Sequence, residues 1–513
     1  MKKQIKKLKK IAAVSAALTL VGAYGAVFAG CADKDETITL RVSSWEEYID
    51  LGGWSDDELI EIDNPYNEEL GGIIGKNSMV DDFTEWFNST HDFKVKVEYS
   101  TFGTNEDLYN RLSLGDVYDL VCPSDYMLMK LIAEGACEEY SDEFLQSGEY
   151  VKSVSPYIKS VFKDYGWENY AACYMWGTTG VVYNPEKLDD ISDVKSWDIL
   201  LNEKYNRMVT IKDNVRDAYF VTLGILNKEE LKGELSKDKR SEILNDVDSE
   251  TIKAAEQVLK DIKDNVYSFE TDAGKSDMVT GKVVANYQWS GDSVYIMDEA
   301  ESDEKSPVEL WYSVPEECTN LWFDGWVMLK SGIDGNAQRR TAAEAFVNFL
   351  SRPDNAVRNM NYIGYTSAIA GETVFNYMKW NYGVEEDAED VYEYDLSYFF
   401  GGDHKIATDA ASFDFEDGDR TVINRGRQLF AQYPSESVIE RSTVMLDFGD
   451  KLGEINQMWI NVRCLDLKDI SPVTYCIVAV IAVVIVTGIL LYVFRYKIFT
   501  GYKPKKGYKK VEN

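Results

Sequence analysis

The feature that most constrains the fold is an alternation of strand-like and helix-like stretches along the chain. TITLRVSSW (37–45) and FKVKVEYS (93–100) alternate apolar and polar residues, as half-buried strands do. Between them, MVDDFTEWFNST places Val80, Phe83 and Phe87 at helical spacing. This order of elements predicts an α/β fold with mainly parallel strands.

Later stretches continue the pattern. We predict helices or strand-turn-helix units in NEDLYNRLSLG, YDLVCPSDYMLMKLIAEG, ETIKAAEQVLKDIKDN and RRTAAEAFVNFLSRPDNA. An acidic, glycine-rich stretch from about residue 50 to 77 interrupts it and is predicted to be an insertion or loop. A chain of 513 residues, 45% hydrophobic and 28% charged, is globular and too long for one core. We therefore expect two lobes with a ligand cleft at the carboxyl ends of the strands.

The amino-terminal end is typical of an export segment. The first ten residues hold 6 lysines, and an apolar run follows up to Cys31. Phe28-Ala29-Gly30-Cys31 resembles a lipoprotein cleavage box, in which Cys31 would be lipidated. The alternative is an uncleaved signal anchor.

The other end predicts a membrane helix. Residues 473–494, VTYCIVAVIAVVIVTGILLYVF, form an apolar run long enough to cross a bilayer core at about 1.5 Å per residue. The tail at 495–513 holds 7 Lys or Arg against one Glu, which predicts a cytoplasmic location. A buried core helix is the alternative, and the length and lack of charge disfavour it. The body would then face outside the cytoplasm.

Charge and residue usage exclude several functions. The formal net charge is -34, so the surface repels nucleic acid and attracts cations, although acidity also serves solubility. With two histidines, His91 and His404, zinc or His-dependent nucleophilic chemistry is disfavoured. The seven cysteines show no CxxC pair and are expected to be mostly small buried residues. We predict no catalytic residues, metal or cofactor, and no nucleic-acid partner.

The stretch LWFDGW (321–326) indicates a ligand class. On a strand, Trp322, Asp324 and Trp326 share one face, with a carboxylate between two indoles. A buried carboxylate needs a partner, and aromatic faces attract cations. The stretch therefore favours a pocket for an organic amine, with Trp322 as the wall and Trp326 as core. Ordinary core and turn roles are the alternative.

Several ordered stretches carry a family resemblance. They are LRVSSWEEYID, VKVEYSTFGTNEDLYNRL, YDLVCPSDYMLMKLIAEG, CYMWGTTGVVYNPEKL, VKSWDILLNEKY, IKDNVRDAYF, NYQWSGD, LWFDGW and FLSRPDNAVRNMNYIGYTS. In this order the chain resembles the spermidine/putrescine-binding proteins of polyamine ABC transporters, which are extracellular solute-binding proteins. The resemblance runs from about residue 38 to 370 and more weakly to 467.

The resemblance implies a two-lobed periplasmic-binding-protein-like fold of type II. Each lobe would be a mainly parallel sheet with helices on both faces, and the chain would cross between lobes more than once. With the two ends, the predicted organisation is 1–31 signal peptide or signal anchor, 32–175 lobe 1 first part, 176–321 lobe 2 first part, 322–370 lobe 1 second part, 371–467 lobe 2 second part, 473–494 transmembrane helix and 495–513 cytoplasmic tail.

The family's ligand contacts can be carried over residue by residue. The aromatic walls match Trp45, Tyr48, Tyr126, Trp289, Trp322 and Tyr365. The amine-binding carboxylates match Asp217 and Asp324, and the remaining contacts match Glu47, Asn214 and Thr271. Two departures bear on which polyamine is preferred. Asn214 stands where the family commonly has an acid, and the stretch LDFGD offers no match for a glutamine that some members use.

The implied function is polyamine capture and delivery to ABC permease subunits at the membrane, without catalysis. The chain has no GxxxxGK[ST] motif and would not hydrolyse ATP itself. One alternative keeps the fold with another cationic amine or a metal, and few histidines disfavour the metal. Another is a ligand sensor for a membrane partner. A glycosidase with paired carboxylates is a third.

Overall fold

Strands and helices alternate along the first of two compact units, Met1–Leu452 and Gly453–Asn513. The structure is a computed structural model that describes residues 37–55, 77–302, 307–384, 391–414, 421–425, 427–464, 480–481 and 483–492. Cys31, most of the acidic stretch and the basic tail lie outside the described residues. Lipidation, the insertion and the tail therefore stay predictions.

The described strands are β1 Thr37–Trp45, β2 Lys94–Phe102, β3 Leu120–Val121, β4 Cys137–Glu138, β5 Ala171–Tyr183, β6 Val209–Lys212, β7 Ser268–Glu270, β8 Ala285–Trp289, β9 Trp311–Ser313, β10 Thr319–Leu329, β11 Thr366–Ser367, β12 Val391–Asp395, β13 Lys405–Asp414, β14 Thr421–Arg425 and β15 Ser442–Thr443.

The described α-helices are α1 Met79–Thr90, α2 Asn105–Leu114, α3 Asp125–Ala133, α4 Asp142–Ser147, α5 Glu149–Ser153, α6 Pro156–Asp164, α7 Val215–Leu226, α8 Lys228–Leu231, α9 Lys237–Leu244, α10 Ser249–Asn265, α11 Ala273–Val279, α12 Ser290–Glu301, α13 Lys330–Ile333, α14 Ala337–Leu350, α15 Pro353–Ile363, α16 Glu372–Tyr382, α17 Ser397–Phe400, α18 Arg427–Gln432, α19 Glu436–Glu440 and α20 Leu452–Arg463. Short 3₁₀ turns lie at Pro185–Lys187, Ile191–Lys195, Trp197–Leu200, Glu203–Tyr205 and Gly449–Lys451.

Local sequence accounts for the first elements. The strand predicted at 37–45 is confirmed as β1, with the same bounds. Helix α1 begins where the Ser78 side chain accepts a hydrogen bond from the Asp81 backbone N–H, which satisfies a donor that the first turn leaves open. Helix α2 ends at Gly115, whose φ of 101° is in the left-handed region that glycine adopts without a steric penalty.

Twelve of the described strands form one sheet, with a main path of β2-β1-β3-β10-β5-β8-β6-β7. β1 pairs in parallel with β2 and β3, and β6 pairs in parallel with β7 and β8. The two strands between these sets, β10 and β5, are antiparallel to each other and to their outer neighbours. The predicted two-lobed α/β fold is confirmed, and its strands are mixed rather than mainly parallel throughout.

The two longest strands of this sheet, β5 and β10, connect the β1–β3 set of strands with the β6–β8 set. The first part of β5 pairs with β10 and β11, while its last residues, Thr179 to Tyr183, pair with β8. The predicted lobe boundaries at 175/176 and 321/322 fall inside β5 and β10. These boundaries stay predictions.

Each half has its own apolar packing. In one, Phe83 packs on Phe346, with ring centroids 4.9 Å apart, and Phe346 packs on Trp326 at 5.6 Å. In the other, Val182 and Val294 lie in a separate buried cluster. Four cysteines are free and buried, as expected: Cys122, Cys137, Cys173 and Cys318. Cys464 is exposed.

The second unit contributes α20, apart from Leu452, and helical residues at 480–481 and 483–492. Among the described residues, none of the helices combines the length and the apolar character that a membrane crossing requires. The span predicted at 473–494 lies partly outside those residues, so the membrane helix stays a prediction.

Candidate functional site

Most of the predicted site residues lie just beyond the carboxyl ends of strands. Trp45 ends β1, Trp289 ends β8, and Asp217 lies in the first turn of α7, which follows β6. The β1 set and the β8 set run in opposite directions, because β10 and β5 between them are antiparallel to each other and to both sets. The carboxyl ends of the two sets therefore face each other across the middle of β5 and β10, and ligands of α/β proteins bind at such strand ends. Asp324 reaches the same region from within β10.

Asp324 is a buried carboxylate held by two hydroxyl groups. Tyr48 donates to its Oδ2 at 2.6 Å and Ser124 donates to its Oδ1 at 2.7 Å, and the residue is 6% exposed. Burial raises the pKa of Asp324 to about 6, and the two hydrogen bonds act in the other direction. Among the described residues no Lys, Arg or His forms an ion pair with it.

A second buried carboxylate lies beside this one. Asp125 accepts backbone hydrogen bonds from Tyr126 at 2.7 Å and Phe323 at 3.1 Å. Burial raises the pKa of Asp125 to about 8, and the charge of Asp324 adds to the rise. Asp125 is therefore mostly protonated near pH 7, which leaves Asp324 as the carboxylate that can accept a cation here.

Three aromatic rings in mutual contact begin at Tyr48, whose hydroxyl binds Asp324. The Tyr48 ring lies edge-on to Tyr365, with centroids 5.2 Å apart, and Tyr365 lies edge-on to Trp322 at 5.8 Å. The Trp322 Nε1–H donates to the Thr178 carbonyl at 3.1 Å, which fixes the indole. The structure thus brings together three of the predicted walls and one predicted carboxylate.

Two glycines allow these rings to pack against backbone. A Cβ at Gly177 would lie 2.6 Å from Cζ2 of Trp322, and a Cβ at Gly291 would lie 2.5 Å from the Tyr365 ring. Both distances are well below carbon–carbon contact, so any side chain at either position would displace its ring.

The tryptophan at the end of the stretch LWFDGW, Trp326, has the predicted position in the core. Trp326 packs against Tyr174 at 5.3 Å and Phe346 at 5.6 Å, which confirms the core role predicted for it. Tyr174 is the unpaired residue of a β-bulge in β5, opposite Asp324 and Gly325. Its ring lies edge-on to the Tyr48 ring, with centroids 5.6 Å apart.

The second predicted carboxylate lies beside Trp289. Asp217 accepts from the Tyr287 hydroxyl at 3.3 Å and from the Trp289 Nε1–H at 3.4 Å. Burial raises the pKa of Asp217 to about 6, while these hydrogen bonds and the charges of Lys212 and Arg216 oppose the rise. Unlike Asp324, this carboxylate has cationic side chains close by.

Lys212 fills the space on the Trp289 ring. Its ammonium lies 4.1 Å from the ring centroid, donates to the Thr271 carbonyl at 2.8 Å and lies 3.5 Å from Asp292 Oδ2. Asp292 also pairs with Lys275 at 3.0 Å and accepts from the Tyr365 hydroxyl at 2.9 Å. Burial acts to raise the pKa of Asp292, but the two lysines outweigh it and hold that pKa below its usual value.

Tyr126 has a cation on its face as well. The Arg216 guanidinium carbon lies 3.6 Å from the Tyr126 centroid and 4.1 Å from the Phe448 centroid. Arg216 also pairs with Asp447 at 3.2 Å. The Tyr126 hydroxyl donates to Glu106 at 3.2 Å.

The other predicted contacts have mixed surroundings. Trp45 is half-buried against Phe102, 4.9 Å between centroids, and its Nε1–H has no hydrogen-bond partner among the described residues. Glu47 is exposed, with a left-handed φ of 53°. Asn214 caps α7 through its side-chain oxygen, and the exposed Thr271 offers its carbonyl to Lys212. Among the described residues, none of these four forms a hydrogen bond with Asp324.

Sequence reasoning missed Ser124, Lys212, Arg216, Tyr287 and Asp292. All five stand in stretches that carry the family resemblance: Ser124 in YDLVCPSDYMLMKLIAEG, and the other four in IKDNVRDAYF and NYQWSGD. A usable signal was present for Lys212. Lys212 ends the buried strand β6, and a buried lysine requires an acidic partner. Asp292 is such an acid, three residues after Trp289 at the end of β8.

The described residues hold no cluster of three or more His, Cys, Asp or Glu placed to bind a metal ion. The site is instead built from carboxylates, hydroxyls and aromatic faces, which suit an organic cation.

Fold and site together define a two-lobed solute-binding protein. The chain belongs to the bacterial extracellular solute-binding protein family, which matches residues 78–373, and members of this family are non-enzymatic transport components. The family places the binding body outside the cytoplasm.

Named relatives narrow the comparison. One is the spermidine/putrescine-binding periplasmic protein of Salmonella typhimurium, 27% identical over 278 residues, which are 54% of this chain and 71% of the relative. Another is the putrescine-binding periplasmic protein PotF of Escherichia coli, 28% identical over 284 residues, 53% of this chain and 71% of the relative. The solved spermidine/putrescine ABC transporter substrate-binding protein PotD of Streptococcus pneumoniae, with a TM-score of 0.52 and 21% identity, covers 83% of this chain and 98% of its own, and supports the fold alone.

Proposed function

We propose that this protein captures a polyamine of the spermidine/putrescine class around Asp324 and presents it to the permease subunits of an ABC transporter. The observation that carries the proposal is a buried carboxylate whose partners are two hydroxyl groups. Such a group is costly to ionise until a cation pairs with it. A ligand ammonium would supply that cation.

The surrounding rings fit the rest of such a ligand. Tyr48, Trp322 and Tyr365 offer aromatic surface around the carboxylate. Aromatic faces cover methylene spacers and attract ammonium groups by about 0.5 to 2 kcal/mol per close contact. The names of the relatives point to the same ligand class.

The predicted roles extend over the site. Trp45, Tyr126 and Trp289 would complete the aromatic walls, Asp217 would be a second carboxylate, and Glu47, Asn214 and Thr271 would line the rim. The lobes would meet at β5 and β10 and close on the ligand, which excludes water and strengthens the ion pair. The segment at 473–494 would anchor the protein with its tail in the cytoplasm, and Cys31 would be lipidated or lie at the end of a signal anchor.

Calorimetric titration of the full chain, purified in a mild detergent, tests the proposal. The ligands are putrescine, spermidine and 1,4-butanediol, which keeps the carbon chain of putrescine but replaces both amines by hydroxyls. Saturable binding of an amine but not of the diol is the expected result. Absence of binding by both amines, or equal binding of the diol, would contradict it.

A further inference from the structure

The Trp289 end of the site holds an ammonium that belongs to the protein. Lys212 is 0% exposed and lies at the end of β6. Its amino group contacts the Thr271 carbonyl, the Asp292 carboxylate and the face of Trp289, at 2.8, 3.5 and 4.1 Å. An ammonium has three donors, and these three contacts account for them.

The partners of Lys212 are themselves fixed. Asp292 is 4% exposed and is bound on its other oxygen by Lys275 and by the Tyr365 hydroxyl. Asp292 therefore connects Lys212, on the face of Trp289, to Tyr365, which belongs to the aromatic walls near Asp324. Removing the lysine from the Trp289 face would leave Asp292 with one cation and the Thr271 carbonyl without its donor.

A similar arrangement covers Tyr126. Arg216 lies between the rings of Tyr126 and Phe448 and donates to the Leu446 carbonyl at 2.8 Å and to Asp447 at 3.2 Å. Two of the aromatic surfaces that a long polyamine would use are thus already in contact with protein cations.

The charges divide the site into two unequal parts. Asp217 lies near Lys212 and Arg216, and both charges favour its ionised form. Asp324 has hydroxyl donors and no ion pair among the described residues. Of these two carboxylates, Asp324 is therefore the one that has no protein cation beside it in the described part of the chain and remains available to a ligand ammonium.

We propose that Lys212 is a specificity-determining residue: its ammonium stands in for one ligand ammonium at Trp289, so the site accepts a diamine in preference to a triamine. The inference rests on the proposed amine capture and names the ligand within that class. A third ligand ammonium reaching Trp289 would meet a buried like charge, which a diamine seated at Asp324 avoids.

The test compares putrescine with spermidine on the full chain in detergent, by titration calorimetry. Lys212→Met removes the charge and keeps a chain of similar length. Lys275→Met is the matched control, because it removes a charge from the same Asp292 carboxylate but not from the Trp289 face. Lys212→Arg keeps the charge, and thermal melting of each variant checks that it is folded.

The wild-type protein should bind putrescine at least about tenfold more tightly than spermidine, and Lys212→Met should reduce that ratio by about tenfold or more, through tighter spermidine binding. Lys275→Met and Lys212→Arg should keep the wild-type ratio. An unchanged ratio in folded Lys212→Met, or a wild-type preference for spermidine, would overturn the inference while leaving amine capture intact. If Lys212→Met does not fold, a wild-type ratio in Lys212→Arg supports the inference and an altered preference for spermidine there contradicts it.

Absence of amine binding by the wild-type protein and by every variant would contradict the proposed function itself.

A further ligand tests whether Lys212 binds an anion of the ligand. Ornithine carries the diamine of putrescine with an added carboxylate. Tighter binding of ornithine than of putrescine, lost in Lys212→Met, would show that Lys212 binds a ligand anion and would overturn its role as a substitute ammonium.

Discussion

The Tyr48 hydroxyl donates a 2.6 Å hydrogen bond to Asp324, although 276 positions separate the two residues in the chain. This bond favours the ionised carboxylate. In Tyr48→Phe, Ser124 alone would donate, so we expect the pKa of Asp324 to rise further above its usual value. Amine affinity at pH 7 should fall about tenfold and recover in part at pH 8, as titrations at both pH values would show.

Tyr140→Phe is the matched control for this variant. It removes another buried hydroxyl, which donates to the Trp326 carbonyl at 2.9 Å outside the aromatic walls. It should lower thermal stability and leave affinity unchanged. Equal losses of affinity in the two variants would show that Tyr48 acts only through stability.

Asp324→Asn should remove most amine binding. The substitution keeps the shape of the side chain and removes the charge, and we expect a loss of about 100-fold, because a buried charge-assisted pair is lost. Asp125→Asn is the control, since Asp125 is buried nearby with a pKa of about 8 and is mostly protonated at neutral pH. Calorimetry that finds similar losses for both variants would argue against a special role for Asp324.

Amine binding should weaken as the pH falls through about 6. Burial raises the pKa of both Asp324 and Asp217 to about 6, and only the ionised form pairs with an ammonium. Affinity should fall up to about tenfold per pH unit for each carboxylate below that point, and binding at pH 6 should release protons. Calorimetry in buffers of different ionisation enthalpy measures the release, and binding with none at pH 6 would count against these carboxylates.

The same pKa shift has the opposite sign for the stability of the protein without ligand. A raised folded pKa means that the protonated Asp324 stabilises the fold fully below about pH 4, and that this contribution is lost as the pH rises through about 6. Its size is about 1.4 kcal/mol per pH unit within that window. Asp324→Asn should flatten this part of the melting profile, and saturating amine should oppose the loss.

Much of the fold was predictable because its signals are local. The strand at 37–45 and the helix from Met79 to Thr90 have the predicted bounds, since alternation, helical spacing and capping residues act over a few positions. The mixed direction of the central strands was not predictable in this way. Direction depends on how β5 and β10 pair across the sheet, and residues of β5 and β10 that pair lie more than 140 positions apart.

The site was predictable in its aromatic residues and less so in its charges. Tyr48, Trp322, Asp324 and Tyr365 converge as predicted, although their roles toward a ligand stay predictions. The sequence indicates that Lys212 needs an acidic partner, but its position on Trp289 depends on the packing of β6 beside β8 and on the contact with Asp292. Asn214 was predicted as a ligand contact, and in the structure its side-chain oxygen caps α7.

Membrane attachment should depend on residues 473–494. The run is apolar over about 22 residues, which matches a bilayer core. A chain that ends before residue 473 should move from the membrane fraction to the soluble fraction, provided that the amino-terminal segment is cleaved. Ala substitution of Cys31 in the same chain controls for attachment through a lipid. Retention in alkaline-washed membranes of a doubly altered chain whose amino-terminal segment has been cleaved would contradict anchoring by this segment.

Gly291→Ala should weaken amine binding through a ring that it displaces. The added Cβ would lie 2.5 Å from the Tyr365 ring, so the ring must shift, which disturbs its edge-on contact with Tyr48 and its hydrogen bond to Asp292. We expect an affinity loss of about tenfold, because a wall of the site is displaced. Gly103→Ala is the control, since its Cβ meets nothing within 4 Å. Titration and melting of both variants separate the effects: wild-type affinity in folded Gly291→Ala would show that Tyr365 does not form a wall of the amine site.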